Sequence, residues 1–327
     1  MRLAIAIGQP HGALLLFTRR VIALASAPMI VRPKPNLIGI LFALKGSIAK
    51  RIALRCVLVT LLASVIVLVE TLQPSYFSKV NATPFTLLGL SLSIFMSFRN
   101  NACYDRWYEA RKALGTVVTE VRSMIRETQV LEDTRARSAI LRDLCGFAHA
   151  LKARLRREDE LSAAETWLSQ LPPASTSNLP DSLLRQIARQ CSDQAQAGRL
   201  SEWRYLLLAN QLAAITGAQS TCERIKATPL PFPYTLLLHR TSYMFCILLP
   251  FAMAEPLGWL TPIFTAIVSY TFFGLDAIGD ELEDPFGHDE NDLPLSAIVR
   301  NIEREILEAL GATELPPALE PVDYVLS

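Results

Sequence analysis

Ala82–Phe98 reads ATPFTLLGLSLSIFMSF, a charge-free run that follows a turn ending at Thr83-Pro84. At four-residue spacing it carries two parallel stripes. Leu90, Ile94 and Phe98 form a bulky one; Gly89, Ser93 and Ser97 form a small one beside it. Side chains four apart stack on one face of a helix, and eight residues rise about 12 Å. Two readings stand. In the first, the small stripe lets neighbouring copies of the helix approach closely, and the bulky stripe faces a shared axis as a narrow apolar constriction that gates by dewetting. In the second, the helix is an ordinary buried member of a bundle.

Three more charge-free runs flank it: Cys56–Val69, Thr241–Ala254 and Pro256–Leu275. A bilayer core needs roughly 20 apolar residues per helix. Extending the runs over their polar edges gives expected spans of about 52–72, 82–98, 234–254 and 256–275. They pair as two hairpins, with turns at Gln73-Pro74-Ser75 and Glu255-Pro256-Leu257-Gly258, where proline and glycine stop helices. The composition agrees: of 327 residues, 51% are hydrophobic and 19% charged, against about 25% charged in soluble chains, and the mean hydropathy is +0.28. A net charge of +1 disfavours a nucleic-acid partner. Six scattered cysteines, none within four residues of another, read as reduced thiols and make neither a disulfide framework nor a zinc site.

Lys45, Lys50, Arg51 and Arg55 precede the first span, and Arg99, Arg106, Arg111 and Lys112 follow the second, whereas the external turns hold only Lys79. The positive-inside rule puts both termini and the middle segment in the cytoplasm of a multi-pass membrane protein. The expected organisation is an N-terminal segment and first hairpin (29–102), a cytosolic region of four or five helices (103–228), a second hairpin (229–279), an acidic loop with a cytosolic helix (280–310), and an irregular tail (311–327). Residues 1–28 read as an extension preceding a true start at Met29. Arg99 has two roles open to it, a positive potential at the inner mouth or pairing with Asp105 or Glu109.

Asp280–Asp292, DELEDPFGHDEND, holds seven acids in thirteen residues. Such density repels itself unless cations compensate. Calcium takes six to eight oxygen ligands, although the order is not that of an EF-hand. The competing readings are Asp292 capping a helix from about Leu293, and ion pairs to Arg300, Arg304 or a neighbouring copy.

Pro84–Gly115, PFTLLGLSLSIFMSFRNNACYDRWYEARKALG, resembles the bestrophin family of ion channels, its bacterial branch in particular. Lys45–Ile48, Cys222–Phe232, Glu281–Gly287 and Asn291–Leu295 agree with the family in order and spacing, and the resemblance runs from about Ile30 to about Leu310. It implies an all-α membrane protein: a homopentamer around one central pore, each subunit giving four membrane-associated helices and a helical cytosolic part. It implies a neck at Leu90, Ile94 and Phe98 and a cytosolic aperture at Trp203, where bacterial relatives carry an aliphatic residue; the alternative for Trp203 is a packing anchor. It implies passage of small monovalent ions, chloride by the family at large and sodium or potassium by some bacterial members. Eukaryotic members bind calcium in the equivalent acidic loop. Carried over by position, the side-chain ligands fall on Glu281, Asp284, Asp289 and Asp292, while bacterial relatives often need no calcium.

No zinc-protease helix, phosphate-binding glycine loop or nucleophile turn is present, so enzyme chemistry is not expected. A transporter and a non-conducting membrane scaffold remain as alternatives; the two hairpins share no motif, and neither has the interrupted helices of transporter sites.

Overall fold

The computed structural model describes residues 29–30, 46–74, 76–77, 80–173, 176–321 and 325–326. Residues 1–28, read above as an extension, lie outside them. The first hairpin is α1 (Ala49–Leu72) and α2 (Thr83–Glu127). Between the hairpins lie α3 (Thr134–Arg156), α4 (Glu160–Ala164), α5 (Leu179–Gln196) and α6 (Glu202–Ala227). The second hairpin is α7 (Phe232–Leu257) and α8 (Thr261–Glu283), followed by α9 (Leu295–Ala309). Two stretches, Ala49–Leu72 and Phe232–Glu283, are long and apolar enough to cross a membrane.

The boundary expected at 102/103 falls inside a single helix. Nothing between Pro84 and Glu127 interrupts the backbone hydrogen bonding of α2, which runs for 45 residues, about 68 Å at 1.5 Å per residue. Asn81 accepts from the Thr83 amide at its start. At its end Thr128 turns its hydroxyl back onto the Met124 carbonyl, 2.7 Å away. Asp133 then caps α3, accepting from the Arg135 and Ala136 amides at 3.0 Å each.

Two cores form along this rod. Near its start, Leu92 and Met96 pack with Ile52, Leu238, Phe245, Leu249 and Phe273 from α1, α7 and α8. Further on, Val117, Val121 and Met124 join Leu141, Leu144, Phe147, Leu183, Ile187, Ile215 and Ile302. Full burial of each such side chain stabilises by about 1.5–3 kcal/mol, so tertiary packing fixes the C-terminal half of α2. Within that core Asp143 is wholly buried. It accepts from the Ser169 amide and hydroxyl and from Gln186 and Gln190, all within 2.8 Å, four bonds that replace its hydration.

Other differences concern helix ends. The turn of the second hairpin comes later than expected, at Gly258–Leu260, because Pro256 is accommodated in the last turn of α7 and Gly258 takes the positive φ of 49° that reverses the chain. Asp280–Glu283 belong to α8 and not to a loop. The tail is irregular to Pro321, but Val325–Leu326 (β2) pairs antiparallel with Met29–Ile30 (β1). All six cysteines are free.

Candidate functional site

The bulky stripe of α2 faces away from its own chain. Leu90, Ile94 and Phe98 are 60%, 47% and 60% exposed, whereas Leu92, Met96 and Arg99, on the opposite side, are 2%, 0% and 0% exposed. A large apolar ridge left open this way marks a surface meant for something other than water. The small stripe divides. Gly89 is turned inward, and a Cβ there would lie 3.0 Å from the Phe245 ring of α7, so its smallness serves a contact inside the subunit. Ser93 and Ser97 are exposed; Ser93 donates its hydroxyl to the Gly89 carbonyl at 2.8 Å, which leaves a compact surface.

The residue after the ridge pins α2 to α8. Arg99 pairs with neither Asp105 nor Glu109. Its Nη1 meets Asp276 Oδ1 at 3.1 Å, its Nη2 meets Asp280 Oδ1 at 2.5 Å, and Glu283 lies 3.7 Å away. Gly279 makes room, since a Cβ there would fall 2.8 Å from Arg99 Nη1. His239 of α7 completes the group, with Nδ1 2.6 Å from Asp276 Oδ2 and Nε2 3.5 Å from Asp280 Oδ1. Beside it Asn100 donates to the Leu275 carbonyl at 3.0 Å, and Arg106 donates to the carbonyls of Ile225, Thr228 and Glu283. The sequence did hold a signal for this cluster. Asp276 and Asp280 are one helical turn apart at the end of an apolar span, where ionisable groups are costly without partners.

Trp203 stands at the start of α6 and is 80% exposed, so it is not a packing anchor within its own chain. Its neighbour Arg204 faces Glu127, the last residue of α2, at 3.7 Å. Phe98 and Glu127 are about 44 Å apart along α2, which places Trp203 and the ridge near opposite ends of one helix.

The acids of the loop are held by different partners. Asp284 is held by Lys226 at 2.8 Å. Glu281 accepts from Asn291 at 2.7 Å, and Arg51 lies 3.8 Å from Glu281 and 3.7 Å from Asp289. Asp292 turns inward, accepts from the Asp289 amide at 2.7 Å, and packs where only a glycine at 287 leaves space. Burial, with Asp289, Asp284 and Glu281 nearby, pushes its carboxyl up to about 7. It does not cap α9, which begins at Leu295 without a side-chain cap. Arg300 and Arg304 are directed to Glu303 and to the Pro316 carbonyl, so Arg51 and Lys226 are the loop's basic partners. Glu281, Asp284, Asp289 and Asp292 are not in the one close three-donor group among the described residues. His149, far from these groups, stacks on Trp167 with ring centroids 5.9 Å apart, and burial pushes it down to about 4.

A family model described as Bacterial/Fungal Bestrophin protein matches residues 29–308. The chain belongs to the bestrophin family. Among curated relatives, a voltage-dependent anion channel-forming protein of Mesorhizobium japonicum is 42% identical over 298 residues, covering 90% of this chain and 96% of the relative. The voltage-dependent anion channel-forming protein YneE of Escherichia coli (strain K12) is 37% identical, with 90% and 98% covered. The crystal structure of a bacterial bestrophin homolog from Klebsiella pneumoniae superposes with a TM-score of 0.76 at 35% identity, covering 80% of this chain and 100% of that one. The all-helical architecture is thus that of solved bestrophins.

Proposed function

We propose that this bestrophin assembles as a homopentamer around a central pore and conducts small monovalent ions across a bacterial inner membrane, with both termini in the cytoplasm. The observation that carries the reading is the ridge of Leu90, Ile94 and Phe98, open on a helix whose other face is fully packed. Five such ridges facing one axis make an apolar neck that conducts when wetted and closes when dry. Ser93 and Ser97 are the small surface on which adjacent copies of α2 meet. Trp203, at the start of α6 beside the far end of the rod, some 44 Å from the ridge along α2, lines the cytosolic aperture. The lipid-facing surface falls to the exposed apolar residues of α1 and α8, such as Leu58, Leu61, Val65, Ile263 and Ile267.

Anions are the favoured charge class, because the curated relatives are named for anion channels. An apolar neck carries no charge sign, so the sign of the permeating ion is set by fields outside it. The test is the reversal potential of purified protein in a planar bilayer under asymmetric potassium chloride. Anion conduction predicts reversal near the chloride equilibrium potential. Reversal at the potassium potential overturns the charge assignment, and electrical silence overturns the channel.

A further inference from the structure

The Arg99 cluster contains more negative charge than its fixed cation balances. Asp276, Asp280 and Glu283 all lie within 3.7 Å of one guanidinium, while the nearby Arg106 directs its N–H groups to backbone carbonyls. His239 adds an imidazole on the side that Arg99 does not occupy. Donor atoms of His239, Asp276 and Asp280 lie within 4.8 Å of one another, and theirs is the one such grouping of three among the described residues.

The geometry points to a binding site for a borderline divalent cation, of which Zn²⁺ is the reference, formed by His239, Asp276 and Asp280. One imidazole with two carboxylates is a donor set for zinc-like ions, whereas calcium and magnesium take oxygen alone. Three protein ligands leave a fourth position for water. The ligands are oriented in advance. Arg99 takes Oδ1 of both aspartates, so Asp276 Oδ2 is turned to the imidazole and Asp280 Oδ2 is left free of Arg99. Gly279 is the position that lets the guanidinium sit there. Access is from the cytosolic side. His239 and Asp280 are 29% and 28% exposed, and Asp280 also lines a cavity of about 540 Å³ with Arg106, Lys226 and Glu283. The 2.6 Å separation of Nδ1 and Asp276 Oδ2 must widen by about 0.7 Å to seat a tetrahedral ion about 2.0–2.1 Å from each. An ion held there ties α7 to α8 directly beside Arg99, and so beside the end of the ridge.

The experiment is chelator competition with Zn²⁺ alone on detergent-purified full-length protein, read without any current. A failure of the channel reading therefore leaves it intact. One ion per chain is expected, with affinity weakened at least tenfold by His239→Gln and by Asp280→Asn. Asp284→Asn, which removes the carboxylate held by Lys226 and lies outside the three ligands, should leave it unchanged. Gel filtration reports whether each variant is folded. The visible spectrum of Co²⁺ added to the unsubstituted protein reads the ligand set without any variant: intense four-coordinate bands are expected. Absence of binding, equal affinity in wild type and His239→Gln, or only the weak spectrum of hydrated Co²⁺ would overturn the site.

Discussion

Arg99→Met deletes the charge that ties the ridge helix to α8 and keeps much of the side chain's volume. The cost follows from what remains. Asp280 is 28% exposed and can rehydrate, but Asp276 is 0% exposed and is left with only its 2.6 Å contact to His239. Breaking a buried pair from one side typically costs about 3–5 kcal/mol, because a buried charge is stranded. In a chain of this size that corresponds to a fall in apparent Tm of roughly 5–15 °C. Differential scanning fluorimetry of the purified protein reads it. Two controls isolate the cause. Arg99→Lys should fall in between, since one ammonium cannot meet Asp276 and Asp280 with separate nitrogens as the guanidinium fork does. Adding Asp276→Asn to Arg99→Met should recover most of the loss, because the stranded charge is then gone. A Tm for Arg99→Met within a degree or two of the parent, or no recovery in the double variant, would refute the reasoning.

Further outcomes are expected. Alanine at Leu90, Ile94 and Phe98 together should widen the neck and raise open probability in single-channel records; currents identical to the parent defeat the gate. Trp203→Ala should raise conductance or alter relative permeability, and unchanged unitary currents remove Trp203 from the ion path. Ser93→Leu places a bulky group on the compact surface of α2 and should break the pentamer; an intact pentamer by native mass spectrometry contradicts that contact. The folded loop holds the Asp292 proton up to about pH 7, whereas the unfolded chain releases it near pH 4. The stabilisation is therefore full below about pH 4 and is lost as pH rises to 7, by about 4 kcal/mol in total. Exchange protection of the Asp289 and Leu293 amides, corrected for intrinsic rate, should fall from pH 5 to pH 8 in the parent and stay level in Asp292→Asn.

Much of the framework was legible because it rests on local rules. The four apolar runs became helices at close to the expected places. The three ridge residues were legible for the same reason, since spacing alone puts them on one side. What the sequence hid were partnerships between distant residues. Arg99 lies 177 and 181 positions from Asp276 and Asp280, so the nearer acids Asp105 and Glu109 were the natural guesses. Gly89 matched the small stripe in spacing, yet the Phe245 ring, 156 positions on, determines its role. Asp292 sat one residue ahead of an expected helix start and read as a cap, but Pro294 delays that start to Leu295 and frees the carboxyl to close its own loop. Helix ends shifted wherever a proline was tolerated or a side chain held an extra turn.

The unbroken length of α2 has a mechanical consequence. A joint between membrane and cytosol would let each portion move by itself; this helix has none, so a displacement at either extremity is felt at the other. With Arg99 as fulcrum, tilting the rod by about 5° would sweep its tip at Glu127 through roughly 4 Å, given some 42 Å of lever arm. Small rearrangements at the ridge would be magnified into larger ones at the Glu127 end, and a ligand pressing on that end would work against the same lever.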